Sequence, residues 1–592
     1  MARKKSIIPF LFLFCADWAA SKEVHRTPLC THLFLRDKIE PPLTEIEKRL
    51  VCGDPLRKGR IFNEGWQEIP HSQARYNLEN FLQERGYLHP SFFALPRLNQ
   101  FPESDLEVDI GTKTRVSRVI VEDPEDLIQV EKNRTWIGET LTPQLLSNLE
   151  RWIAVRLQTQ GYPCPRVSSL SNPDTGEIKV HVEPGALYSF GRIHQERIPE
   201  TVDNLLRRYD AFQSVDPFNI QELSLTEDRI AAVGLVESSH FGLSCMPQSF
   251  QLRQSVLPGA PRLWILGLGA DTEGLVRAKI LWKNTRVGLY ANRFEISAYG
   301  TARNQYFGSS MNAYFLPRVS RVFFNPRIQS GHRNEPQFEE LSTLGQAGLS
   351  TTYDKKGLGA TFSAALTLEY FKTLKGLGLP ESHFTSLESR VGFKSHSFEF
   401  FASDPREGFD FSLQSNFSLK GLFSKSTAQR LNFKANFLWN FKGYDPPLWI
   451  FGVRVGFRTV ITDAMTLESR LLPASFYQYL GGSADIRGFG RQELPHVNSQ
   501  TSRLAAAVTA SSLSGEARLS HVLPFGLDPF FFLDVGGLGA RPLSLDPLMF
   551  WSPGLGLRWA SPVGIVRTTL AQGYENWKPS HFQFFFSFGE EF

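Results

Sequence analysis

The stretch that decides the fold is Arg430-Leu-Asn-Phe-Lys-Ala-Asn-Phe-Leu-Trp-Asn-Phe-Lys442. Leu431, Phe433, Ala435, Phe437, Trp439 and Phe441 fall on one side. Arg430, Asn432, Lys434, Asn436, Asn440 and Lys442 fall on the other, with Leu438 the single exception. Strict alternation is the period of a β-strand. It runs on for about the 9 to 11 residues that a tilted membrane strand needs. After Gly443-Tyr-Asp-Pro-Pro447 the pattern resumes, with Trp449, Phe451, Val453, Val455 and Phe457 against Gly452, Arg454, Gly456 and Arg458. Two such strands around a Gly/Pro turn make a hairpin. Phe294, Ile296 and Ala298 against Arg293, Glu295 and Ser297 repeat the texture earlier. A soluble sandwich has strands nearer five or six residues and no aromatic face opposite a basic one.

Working outward, no stretch approaches the roughly 20 apolar residues of a membrane helix. Spanning without helices requires a closed barrel, because every backbone group in lipid must be satisfied. The 332 residues from 261 to 592 accommodate some 16 strands at about 20 residues per strand and connection. The chain ends in strand, with Phe582, Phe584, Phe586, Phe588 and Phe592 on one face.

Before residue 260 helices and strands alternate. Ser72–Arg85 reads as a helix stopped by Gly86-Tyr87, followed by Leu106, Val108 and Ile110 in strand spacing. Thr142–Gln160 reads as a second helix, capped by Thr142-Pro143 and stopped by Gly161-Tyr162, with Ile178, Val180 and Val182 after it. A third helix is predicted over Thr226–Glu237, with strand over Phe250–Val256. These give three small α+β modules, over 22–115, 116–186 and 187–258, ahead of a barrel over 259–592. Residues 1–21 read as a secretory signal. Arg3, Lys4 and Lys5 precede a short apolar run, and Ala19-Ala20-Ser21 offers a cleavage site.

The charge is +4 from 64 basic and 60 acidic residues, which argues against a nucleic-acid surface. Four cysteines follow the signal: Cys30, Cys52, Cys164 and Cys245. In an oxidising compartment Cys30 and Cys52 are candidates for a disulfide, and ordinary buried thiols are the other reading. No metal-type cysteine cluster, nucleophile elbow, zinc-protease motif or P-loop is present. Ser520 and His521 are adjacent, which in a strand points them to opposite faces. The expectation is a protein that is not an enzyme and needs no cofactor.

One segment in the barrel region is not strand-like: Gly481-Gly-Ser-Ala-Asp-Ile-Arg-Gly-Phe-Gly490. It lies in a long connection, where Arg487 beside Gly488 enters a closed space and needs acceptors. Glu516 and Asp534 fall on the polar faces of two later strands, within the grasp of a guanidinium fork. Three independent lumen charges are the plainer alternative.

Ile486-Arg487-Gly488-Phe489 resembles the [VI]-R-G-[FY] signature of the superfamily of POTRA-bearing outer-membrane assembly and translocation barrels (BamA, TamA and the bacterial surface antigens). Phe532-Leu-Asp-Val-Gly536, the hairpin Ser552–Gly564 and the closing strand Phe584–Phe592 resemble later motifs of that family, in its order. The resemblance is nearest to TamA-like members, with Gly267–Gly274 similar to their first barrel strand and turn. It implies three periplasmic POTRA domains, a 16-stranded outer-membrane barrel, and a role in inserting or exporting outer-membrane proteins, autotransporter-like clients among them. It implies that Arg487, Gly488 and Phe489 anchor a lumen loop on Glu516 and Asp534, with Phe532 packing nearby. It implies a seam between the first strand, around Leu263 to Leu268, and the last, where Gly589 weakens the closing end. Unfolded clients, outer-membrane lipid and an inner-membrane-anchored, periplasm-spanning partner of TamB type are the implied partners. A dedicated two-partner-type secretion pore and a BamA-like general insertase are alternatives within the superfamily; a diffusion porin is one outside it.

Overall fold

A β-strand places alternate side chains on opposite faces, and the C-terminal sequence alternates for most of its length. In the computed structural model it closes into a barrel. The structure describes residues 26–588, apart from 31–32, 56–65, 68–69, 96–104, 124–125, 129–135, 196–204, 247–248, 316–320, 402–403, 442–445, 495, 498–503, 506 and 562–563. The expected signal over 1–21, Gly589 and Phe592 therefore lie outside the described residues.

The wall is antiparallel throughout. Its strands are β1 (Arg262–Asp271), β2 (Leu275–Val287), β3 (Asn292–Gly300), β4 (Asn304–Asn312), β5 (Val322–Phe324 continued by Arg327–Glu335), β6 (Phe338–Lys355), β7 (Leu358–Lys375) and β8 (Glu381–Ser395). Then come β9 (Gly408–Ser418), β10 (Ala428–Asn440), β11 (Trp449–Thr462), β12 (Thr509–Leu519), β13 (Leu527–Gly539), β14 (Met549–Ser561), β15 (Gly564–Glu575) and β16 (Lys578–Phe588). Counting β5 as one strand broken at Asn325-Pro326, the barrel has 16 strands. Proline cannot donate to a ladder. At that break the Asn325 side-chain amide donates to the Met311 carbonyl at 3.1 Å and to Asn312 Oδ1 at 2.6 Å.

The faces follow the alternation. Leu268, Leu366, Trp439, Phe531 and Phe582 are exposed on the outside, as a lipid-facing surface requires. Arg430 and its partner Glu369 point inward instead. Leu438 breaks the pattern because it also points inward, buried with Ile450 against Phe398 of a short inward helix, α5 (His396–Phe400).

Ahead of the barrel lie three small sheets of three or four strands with helices, and a two-stranded pairing of Asp54–Pro55 with Trp66–Gln67. By internal contacts the chain forms two compact units, one of residues 1–122, 136–151 and 168–180, the other of 123–135, 152–167 and 181–592. In the first unit, strands Thr27–Cys30, Leu33–Leu35, Asp105–Asp109 and Ser91–Leu95 form one sheet in that order. It shares a core with α1 (Glu45–Cys52) and α2 (His71–Gln83). Helix α1 escaped the sequence reading, although Thr44 and Glu47 form a reciprocal capping box there. Cys30 and Cys52 are joined, and so are Cys164 and Cys245. The boundary between the units runs through the middle module, whose sheet orders Arg118–Glu122, Glu177–Glu183 and Arg166–Asn172. Its helix α3 spans Pro143–Thr159, with the Thr142 hydroxyl accepting from Leu145 N–H at 3.1 Å.

The third helix, α4, spans Ile220–Val233, not Thr226–Glu237. Asn219 caps it, and Gly234 in a left-handed conformation stops it. Lys283 of β2 donates to the carbonyls of Ala232 and Val233 at the end of α4, where a cation meets the negative end of the helix dipole. On the same helix, Arg229 bonds both Asp354 and Glu399. The third module is thereby fixed to the barrel by charged hydrogen bonds.

Candidate functional site

The connection from β11 to β12 folds into the barrel. Gly481 and Gly482 have φ of +107° and +106°, which only glycine adopts without strain. They turn the chain so that Gly482 N–H reaches the Phe489 carbonyl at 2.9 Å. Ile486 and Phe489 are fully buried, packed with Leu480, Leu538 and Phe550. This apolar footing holds Arg487 against the wall.

Arg487 meets its partners as a fork. Nε and Nη2 donate to the two oxygens of Asp534 at 2.9 and 2.7 Å, and Nη1 donates to Glu516 at 3.0 Å. Its backbone N–H adds a bond to Asp534 at 2.9 Å. The guanidinium also lies 3.4 Å from the ring centre of Phe532. Arg487 is 1% exposed and Asp534 0%. Charges so buried are stable only when paired and hydrogen-bonded. The structure thus brings together Arg487, Glu516, Phe532 and Asp534. Parity explains why: Glu516 faces Phe532 across β12–β13, and Ser514 faces Asp534 in the same register.

Several neighbours were missed. Ser514 accepts from Arg487 at 2.8 Å and donates to Asp534 at 2.6 Å. Its place two residues before Glu516 put it on the same face, so it was findable. Arg567 of β15 also bonds Glu516. Gly488 donates to the Ser552 hydroxyl at 3.0 Å. A Cβ at Gly488 would lie 2.5 Å from Gly573 Cα, so the loop backbone presses directly on β15. The ladder of β15 and β16 shifts register between Gln572 and Tyr574, flanking Gly573. Phe489 meets Phe550 edge to face and His581 at a tilt, each with ring centres 5.8 Å apart.

The loop also reaches the start of the barrel. Glu273, in the turn between β1 and β2, accepts from Ser483 N–H at 3.0 Å and from its hydroxyl at 2.7 Å. Arg491 pairs with Glu335 at the end of β5 through two bonds, at 2.9 and 3.0 Å. Nothing in the alternation pointed to Glu273, because turns carry no period.

Among the described residues, β1 and β16 pair at only two positions, Ala270 with Phe588 and Asp271 with Ser587. Thr272 N–H adds a bond to the Phe586 carbonyl at 3.0 Å. The expected seam residues divide by face. Leu268, Phe582 and Phe584 are exposed on the outside, with Phe586 and Phe588 on the same side. Leu263 has the opposite parity and lies against Gly234 at the end of α4. Phe585, which the reading of the closing strand passed over, is buried on the inner face.

The Ser520–His521 pair departs from strand geometry. Ser520 and His521 lie after β12 has ended, and His521 has φ +56°. Ser520 Oγ and His521 Nδ1 are 2.7 Å apart, not on opposite faces. Ser580 and His581 show the same contact at 2.7 Å, so it is a local hydrogen bond between chain neighbours.

No curated protein matches the chain. Among solved structures, BamA from Haemophilus ducreyi lacking POTRA domains 1–3 is similar at 14% identity and TM-score 0.48, over 80% of this chain and 100% of that one. CdiB from Escherichia coli is similar at 14% identity and TM-score 0.43, over 87% and 96%. CdiB from Acinetobacter baumannii follows at 12% and 0.43, over 80% and 89%. The description that matches a family directly is Omp85 superfamily domain, over residues 356–592. That span holds Arg487, Glu516, Asp534 and the last strand, so the C-terminal part of this barrel is similar to the Omp85 superfamily domain, and a barrel of that type implies an outer membrane.

Proposed function

We propose that the protein is a non-enzymatic outer-membrane assembly and translocation factor of TamA-like type. The observation that carries this reading is the lumen loop anchored deep in the barrel through Arg487, Glu516 and Asp534, which also reaches the turn after β1. A strand edge exposed when β1 parts from β16 templates pairing with another strand. A client strand adds to the parted seam and passes into the membrane. Arg487, with Glu516 and Asp534, anchors the loop while the seam works.

The three α+β modules act as POTRA domains in the periplasm and receive unfolded clients on their sheet edges. The edge strands Ser91–Leu95 and Arg166–Asn172 support this. An inner-membrane-anchored partner of TamB type reaches the first module.

The test is a seam lock. Ala270 and Phe588 are paired across the seam, so an Ala270→Cys, Phe588→Cys protein can be oxidised and reduced. We expect the oxidised form to lose assembly of a barrel client in proteoliposomes and the reduced form to regain it. Equal activity of both forms would sink the seam reading. Co-purification from solubilised envelopes tests the partner.

A further inference from the structure

The lumen loop touches both sides of the seam. On the closing side, Gly488 bonds Ser552 of β14 and presses on Gly573 of β15, and Phe489 meets His581 of β16. On the opening side, Ser483 holds Glu273 with two hydrogen bonds and Arg491 grips Glu335. Glu493 reaches from the same loop to both neighbourhoods. Its carboxylate accepts from Gly490 N–H at 2.6 Å and lies 3.5 Å from His581, and its carbonyl accepts from Gln337 at 3.3 Å.

We propose that this loop is a strap across the seam, and that Glu273 is the residue that fastens it to the first hairpin. The wall joins β1 to β16 by backbone pairing, Ala270 with Phe588 and Asp271 with Ser587 among the described residues. The strap supplies charge-assisted bonds, which are individually stronger than neutral ones. The turn that carries Glu273 is itself built to present it. Asp271 accepts from the N–H groups of Glu273 and Gly274, and Arg303 Nε donates to the Glu273 carbonyl at 2.8 Å. Glu273 and Arg487 therefore divide the work. Arg487 fixes the loop to β12 and β13, and Glu273 fixes β1 and β2 to the loop. Parting the seam requires undoing the Glu273 contact while the Arg487 contact stays. Glu273 is a positioning residue for the gate assigned above, so the inference rests on that reading.

Hydrogen exchange on the full-length protein in lipid separates the two roles. Glu273→Ala should raise amide exchange over β1 about tenfold or more, the factor expected for losing hydrogen bonds to a charged group. Exchange over β12 and β13 should stay at the wild-type level, which also reports that the barrel is folded. Ser483→Ala, which removes one of the two bonds, should give a smaller increase in the same place. Unchanged exchange over β1 in Glu273→Ala overturns the strap. So does an equal rise in β1, β12 and β13, because Glu273 would then be a general stabiliser. Client assembly, measured in parallel, keeps the two proposals apart. A loosened β1 with an oxidised seam lock that still assembles clients leaves the strap standing and removes the gate. A β1 that does not loosen, with a seam lock that stops assembly, does the reverse.

Discussion

Two sectors of one wall are held in opposite ways. Between β11 and β12 the ladder runs unbroken from Trp449–Leu519 to Thr459–Thr509, and beside it Arg487 is bound by Asp534, Glu516 and Ser514. Between β1 and β16 the described pairs are Ala270–Phe588 and Asp271–Ser587, and the loop reaches the β1–β2 turn through Ser483 and Glu273. The loop thus holds the first sector by a buried cluster of several charges and meets the turn after β1 through the Glu273 carboxylate. A closed barrel removes strand edges altogether, so parting β1 from β16 is what would create one.

The largest way to break that contrast is Arg487→Ala. It leaves the buried Asp534 carboxylate without its guanidinium while Glu516 keeps Arg567, a class of change that costs about 3–5 kcal/mol. We expect a marked drop in the unfolding temperature of the purified barrel, with faster amide exchange over β12 and β13. Arg487→Lys should recover part of this only, since an ammonium cannot reproduce the fork. A smaller effect is expected from Gly488→Ala, whose Cβ would meet the Gly573 backbone at 2.5 Å. Strain of that kind costs about 1–3 kcal/mol. Denaturant unfolding should show it, and Gly573→Ala should reproduce it because the clash is mutual.

How much of this was legible depended on period. Face parity in Arg430–Lys442 gave the barrel, and parity in β12 and β13 placed Glu516 and Asp534 on the face that Arg487 meets. The same rule contained Ser514, which was overlooked because serine carries no formal charge. What had no period stayed hidden. Glu273 sits in a turn and meets Ser483 across 210 positions of sequence. Gly573 matters through a register shift, which alternation cannot foretell. Helix α4 begins six residues before Thr226, the start that the apolar spacing predicts, because its cap is Asn219. Leu438 looked like an error in the alternation and was a true inward contact with α5.

A third test concerns the joint between α4 and the barrel. His396 is buried, which lowers its proton affinity. Hydrogen bonding to Asp354 and the nearby Glu222 carboxylate raise that affinity more, leaving the pKa above the ordinary 6.5. Arg229, on α4, faces the same cluster and opposes protonation. Glu399 on α5 and Arg321 complete the charges around it. A group whose folded pKa is raised stabilises fully below its unfolded value and stops doing so as pH rises through the folded one. Exchange protection of α4 should therefore be greatest below about pH 6.5 and fall as pH climbs past it. His396→Gln should flatten that dependence. The smallest effect is expected at the seam itself. Thr272 Oγ1 accepts from Phe586 N–H at 3.3 Å, and Thr272→Val should cost about 0.5–1.5 kcal/mol. Its signature is faster exchange at the top of β16 with no change in β12.

The lengths of the strands carry a consequence for the lipid. β1 has 10 residues and β3 and β4 have 9 each, whereas β6 and β7 have 18 each. Nine residues at about 3.4 Å each, tilted about 45°, rise about 22 Å, close to the apolar band of about 25 Å around such a barrel. Strands twice as long rise about 43 Å and overreach that band. The wall is therefore about twice as tall at β6 and β7 as at β3 and β4, and the surplus of the long hairpin stands in water rather than in lipid.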